Sequence, residues 1–191
     1  MKKISLLLVT LLCSINFYGQ AWDNSKPDNR FTIGVRVGAN MSTIGGGEYD
    51  SDFKSKWGFN GGLNVNVNIY KSFAIETGVY YSAKGFKWDY EILGSYYKNP
   101  NLQYLQMPLL ALLRLYMTDE THIQLKAGGY MGYLINKPES LYVKKPDLGI
   151  IVGAGVNYKK FYLGVQYELG LYEISGDDKN RNLAISLGYD F

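Results

Sequence analysis

Most of the residue types that carry simple chemistry are scarce in this 191-residue chain. It has one cysteine, Cys13, and one histidine, His122. Cys13 lies in a removable leader, so the mature chain has no thiol. That excludes a disulfide framework, a thiol nucleophile and a thiolate metal site. Charged residues make up 19%, below the roughly 25% of an ordinary soluble domain. Beyond the leader no apolar run approaches the roughly 18 residues a membrane helix needs. The longest, Leu105 to Leu113, is broken by Gln106 and Pro108. No G-x-S-x-G, H-E-x-x-H or P-loop pattern occurs. Glycine (22) and tyrosine (18) are abundant. This charge-poor profile excludes disorder and long helices and points to β structure.

The first residues read as an address. Met1-Lys2-Lys3 is a positive n-region, Ile4 to Leu12 an apolar h-region, and Gly19-Gln20-Ala21 a small-x-small cleavage pattern. Residues 1–19 are thus expected to be a secretory signal peptide, and the pattern allows cleavage as late as residue 21. Leu12 stands before Cys13, where lipidation requires a small residue. Of 20 basic and 17 acidic residues, setting aside Lys2 and Lys3 leaves 18 against 17. The pI of 8.7 therefore carries no nucleic-acid message, and no basic patch suggests such a partner.

From Arg30 onward the pattern has period two, the signature of strands with two unlike faces. Apolar residues alternate over Phe31–Met41, Trp57–Ile69, Phe73–Ala83, Leu105–Leu115, Ile123–Tyr133, Leu148–Tyr158, Phe161–Leu171 and Leu183–Phe191. No charge falls on the apolar parity. Arg36, Glu76, Lys84, Arg114, Lys126 and Glu168 all lie on the other. Alternation alone does not say which face is inside: a soluble lipocalin-like barrel turns the apolar parity inward, a membrane barrel turns it to lipid. Four features favour the membrane. The segments run about ten to twelve residues, near the 9–11 of a tilted membrane strand. The polar parity is Gly, Asn, Gln and Ser rather than Lys and Glu. Aromatics gather at the segment ends, as interfacial girdles require. The chain also ends on Phe191, in register with the apolar face.

Connections after the odd segments are long (Thr43–Ser55, Asp89–Pro100, Ile135–Pro146, Tyr172–Asn180), and those after the even ones are tight. Short turns belong to the periplasmic side of outer-membrane barrels and long loops to the exterior. The expectation is an all-β chain, an eight-stranded antiparallel up-and-down transmembrane β-barrel over residues 30–191. Residues 20–29 form a short periplasmic lead-in, and both termini are periplasmic.

Tyr104-Leu105-Gln106-Met107-Pro108-Leu109-Leu110 is similar to a Tyr-Leu-x-hydrophobic-Pro-Leu-Leu strand of the PorT-like family of small outer-membrane β-barrel proteins. Gly128-Gly129-Tyr130-Met131-Gly132-Tyr133, Asp147-Leu148-Gly149 through Gly153-Ala154-Gly155, and Leu187-Gly188-Tyr189-Asp190-Phe191 continue the resemblance over the mature chain. It implies a barrel of the OmpA/OmpX type in outer-membrane lipid, inserted by the barrel-assembly machinery, with Tyr189 and Phe191 as the C-terminal insertion signal. Pro108 removes a ladder donor, so a bulge is expected there.

Little is left for catalysis. His122 reads as an interface polar residue, and the acidic tip Glu48, Asp50, Asp52 as a solvated loop. No catalytic set, cofactor or metal site is assigned. Two features invite a functional reading. Arg36, Glu76, Lys84, Arg114, Lys126 and Glu168 form a lumen charge network, four cations and two carboxylates, read as a salt-bridged plug. Tyr49, Phe53, Tyr90, Tyr96, Tyr97, Tyr142 and Tyr172 gather in the outer loops, where exposed aromatics suit either an envelope or extracellular protein partner or an extension of the upper aromatic girdle. The main expectation is a structural or partner-binding membrane protein. A small ion or solute pore and a barrel-embedded lipid-modifying enzyme stand as alternatives.

Overall fold

A computed structural model describes residues 23–45, 53–88, 101–136, 146–175 and 178–191. The strands are β1 (Phe31–Gly45), β2 (Phe53–Tyr70), β3 (Phe73–Trp88), β4 (Asn101–Thr118), β5 (Thr121–Asn136), β6 (Pro146–Tyr158), β7 (Phe161–Ser175) and β8 (Asp178–Asp190). Each pairs antiparallel with its sequence neighbour, and β8 returns to β1, closing an eight-stranded barrel. At the seam Val35 lies between Leu63 of β2 and Tyr189 of β8. Closure leaves no edge strand, so each strand has a hydrogen-bonded neighbour on both sides.

The apolar parity faces outward. Trp57 is 68% exposed, Leu109 65% and Phe161 62%, while Glu76 and Asn66, on the other parity, are 2% and 1%. The barrel is therefore turned inside out relative to a soluble one, its apolar side chains presented to its surroundings.

The interior is a packed filling. Asn40, Asn64, Asn66 and Asn182 are buried from one parity of their strands, together with Leu102, Leu110, Leu112 and Tyr104 from β4. Glycines make room for the bulkier groups. A Cβ on Gly164 would collide with the Tyr162 ring, and one on Gly188 with the Arg36 side chain. In a lumen of eight strands there is just enough width for side chains, so each large inward residue needs a small one beside it.

Three expectations are corrected. The strands run from 13 residues (β6) to 18 (β2, β4), longer than the ten to twelve that alternation suggested. Ladder pairing continues past the apolar stretch because backbone groups still need partners where both faces meet water. For the same reason the connection across Tyr172–Asn180 is no long loop: β7 runs to Ser175, β8 starts at Asp178, and those two residues pair. Pro108 makes no bulge. Its register with Tyr130 is continuous on the β5 side. On the β3 side pairing lapses between Thr77–Leu109 and Tyr80–Gln106 and then resumes in the same register. Thr77 Oγ1 donates to the Pro108 carbonyl at 2.9 Å.

The tight connections lie together at one end, between β2 and β3, β4 and β5, and β6 and β7. Lys159 takes a left-handed conformation (φ 54°) in the last of these. A Lys159 N–H donation to the Glu120 carbonyl at 2.7 Å helps hold it. The N-terminal segment is tied to the same end. Asp23 N donates to Ser72 Oγ (2.8 Å), Ser72 N to the Asp23 carbonyl (3.1 Å) and Lys71 N to the Ser25 carbonyl (3.2 Å).

Candidate functional site

Period two sends every second side chain into the lumen, so charges far apart in sequence meet across it. Lys84 of β3 is the centre of the largest group. Its Nζ lies 2.9 Å from Glu168 Oε2 (β7) and 3.5 Å from Asp147 Oδ2 (β6). The same ammonium stands 4.8 Å from the Tyr130 ring centre and 5.5 Å from that of Tyr104. The carboxylates are held in turn: Gln106 and Gln166 donate to Glu168 (3.3 and 2.9 Å), and Tyr130 and Asn180 donate to Asp147 (3.2 and 2.9 Å). A buried charge is tolerable only when paired and fully hydrogen-bonded. Here both carboxylates share the Lys84 ammonium and each accepts two side-chain hydrogen bonds, leaving Asp147 Oδ1 without one.

Two further pairs continue towards the tight-turn end. Lys126 Nζ lies 3.8 Å from Glu76 Oε1, and the Arg36 guanidinium 2.7 Å from Asp190 Oδ1. Arg36 also stacks over Tyr162 at 4.4 Å. Arg114 differs. It donates to Asn68 Oδ1 at 2.8 Å, and among the described residues no carboxylate lies within ion-pair distance.

The six network residues named from sequence are all inward-facing, but the set was incomplete. Asp147 and Asp190 belong to it, so among the described residues the network holds four carboxylates against four cations rather than two against four. Both are in-register polar-parity residues, and that parity was the signal by which they could have been found. They escaped because each sits beside a connection or the chain end, where a charge is ordinarily solvated.

The waist is nearly closed. The space between Arg36, Glu76, Tyr80, Lys126, Tyr130 and Glu168 measures about 30 Å³, room for a water molecule or two at roughly 10–15 Å³ each. Below it, at the tight-turn mouth, a cavity of about 800 Å³ is lined by Arg114, Asn68, Tyr116, His122, the turn residues and the N-terminal segment. His122 thus lines the inside of the mouth rather than the lipid interface, its ring 5.0 Å from that of Tyr116. Outside, Phe161, Tyr189 and Phe191 form an edge-to-face row with centroids 5.4 and 5.3 Å apart. That row places the two residues of the expected insertion signal in an aromatic band at the same end.

Tyr49, Tyr90, Tyr96, Tyr97 and Tyr142 lie outside the described residues, as does the leader. Phe53 and Tyr172, expected in loops, have strand backbones in β2 and β7. Among the described residues no group of three or more His, Cys, Asp or Glu could hold a metal ion.

A family model described as an outer membrane protein beta-barrel domain matches residues 18–176. No curated protein sequence matches the chain. Among solved structures, Neisserial surface protein A is similar at a TM-score of 0.52 and 12% identity, covering 83% of this chain and 97% of that one. The attachment invasion locus protein Ail of Yersinia pestis aligns at 0.46 and 14%, covering 85% and 100%. OprG of Pseudomonas aeruginosa aligns at 0.45 and 13%, covering 89% and 99%.

Proposed function

Because this chain belongs to the outer membrane protein beta-barrel domain family, we propose that it works as a plugged barrel whose role is structural or partner-binding rather than conductive. The filled waist carries this reading. An ion path needs continuous water, and about 30 Å³ between paired charges gives none. An eight-stranded interior is about wide enough for side chains to fill, whereas porins of about 16–18 strands leave an aqueous channel.

The tight-turn end, with both termini, faces the periplasm in this reading, and the loops after β1, β3 and β5 face outward. Residues 1–19 are the signal peptide that brings the chain there, and the finer kinship is with PorT-like barrels. The aromatic outer loops are the surface offered to an envelope or extracellular protein. We assign no catalytic role: His122 packs on Tyr116, and no serine lines the cavity it faces among the described residues.

Recordings in planar bilayers test the plug directly. The refolded barrel should leave conductance at background. A well-defined open channel whose selectivity shifts with Glu76→Gln would replace the plug by the pore.

A further inference from the structure

The mouth cavity has a charge polarity that the plug does not account for. On its floor, Arg114 is 9% exposed, and among the described residues its guanidinium donates only to neutral oxygens, the Asn68 amide and the Tyr116 hydroxyl. Each of the other three lumen cations has a carboxylate within 4 Å: Arg36 has Asp190, Lys84 has Asp147 and Glu168, and Lys126 has Glu76. Arg114 is therefore the one unmatched buried cation among the described residues. Beside it, His122 Nε2 is sealed from solvent without a hydrogen-bond partner.

The rim has the opposite sign. Its two lysines are matched, Lys71 with Asp23 at 3.9 Å and Lys159 with Glu120 at 3.5 Å. Asp28 and Asp119, which line the same cavity and are exposed, take part in no ion pair among the described residues. A single positive charge thus sits at depth beneath two negative charges at the opening.

A desolvated cation without a counter-charge is costly, and a guanidinium fork matches a carboxylate in plane and spacing. Carboxylates on the rim attract an ammonium. The volume, about 800 Å³, falls within the roughly 300–1,000 Å³ usual for small-molecule sites. We propose that this mouth cavity binds a small zwitterion, an amino acid or short peptide. The ligand carboxylate sits on Arg114, and its ammonium lies towards Asp28 and Asp119. The closed waist above makes this a receptor site rather than the entrance to a channel.

The test uses the full mature barrel in phosphatidylcholine nanodiscs, which present both mouths to solution, so sidedness does not enter. Titration with the dipeptide alanyl-alanine, followed by calorimetry, should saturate. Its C-terminal amide should bind about tenfold more weakly or worse, as expected when a charge-assisted hydrogen bond is lost. The N-acetylated dipeptide should lose several-fold, and Asp119→Asn should reproduce that loss at an exposed turn where folding is not at stake. Arg114→Gln should abolish binding, but it also perturbs Asn68, so the ligand pair carries the test. Failure to saturate would overturn the proposal, as would equal affinity for acid and amide. Inorganic phosphate displacing the dipeptide at equal concentration would make the floor a general oxyanion site and overturn the zwitterion assignment. None of these results alters the conductance prediction.

Discussion

Replacing Lys84 by methionine is the sharpest perturbation of the lumen. Lys84 is sealed from solvent and faces two carboxylates, at 2.9 and 3.5 Å. With an effective dielectric constant near 20, those separations correspond to gross attractions of about 6 and 5 kcal/mol, most of which offsets desolvation. Methionine keeps the volume but leaves Asp147 and Glu168 buried together without a cation. Breaking a buried pair from one side costs about 3–5 kcal/mol, and with two stranded carboxylates Lys84→Met belongs at the upper end. Glu168→Gln should behave differently, because Lys84 keeps Asp147 and the amide oxygen still accepts one of the two glutamine donors. A loss of about 1–2 kcal/mol is expected there, the scale of one imperfect hydrogen bond. Glu76→Gln should fall between them, since Lys126 has only the one carboxylate, at 3.8 Å. Urea unfolding in lipid vesicles, followed by tryptophan fluorescence, measures all three. If Glu168→Gln cost as much as Lys84→Met, or if Lys84→Met left stability unchanged, this account of the network would be wrong.

Three other expectations follow from the faces and the ends. Val152, 51% exposed, faces lipid, so Val152→Arg should cost roughly 2–4 kcal/mol at mid-bilayer. Asn66→Arg, on the buried parity, should instead disturb the lumen packing and change the heat-induced unfolding of detergent-solubilised barrel. Equal sensitivity of Val152→Arg in vesicles and in detergent would count against lipid contact. Single cysteines at Gly46, Ser95 and Ser140 should react with an impermeant thiol reagent on intact cells while those at Lys71, Glu120 and Lys160 stay protected; the reverse pattern would invert the orientation. The Asp23 carboxyl is held below its ordinary range, chiefly by hydrogen bonds from Ser25. A lowered value means its contribution to docking the N-terminal segment is complete above the unfolded pKa near 3.8 and is lost as pH falls through the lower folded one. The protection of the Lys71 and Ser72 amide protons, taken relative to the intrinsic exchange rate at each pH, should therefore be unchanged from pH 7 to 5 and fall only in stronger acid. A loss of protection already at pH 5 would exclude Asp23 as the cause.

Much of the architecture was legible in the sequence because strand geometry is local. A side-chain period of two over eight segments, with every charge inside those segments on one parity, fixes the number of strands and sorts their residues into two faces. Glycine and asparagine rather than lysine on the polar parity already identify that face as the confined one. What local patterning cannot carry is distance across the lumen. Which cation meets which carboxylate depends on strand tilt and stagger, set only when β8 closes on β1. Closure brings Lys84 of β3 to Asp147 of β6 and Glu168 of β7, places Asp190 on Arg36, and leaves Arg114 with a neutral amide. The extra length of β7 and β8 and the unbroken register at Pro108 have the same origin. Hydrogen bonds to a neighbouring strand hold the backbone extended where the sequence alone reads as a loop or a bulge.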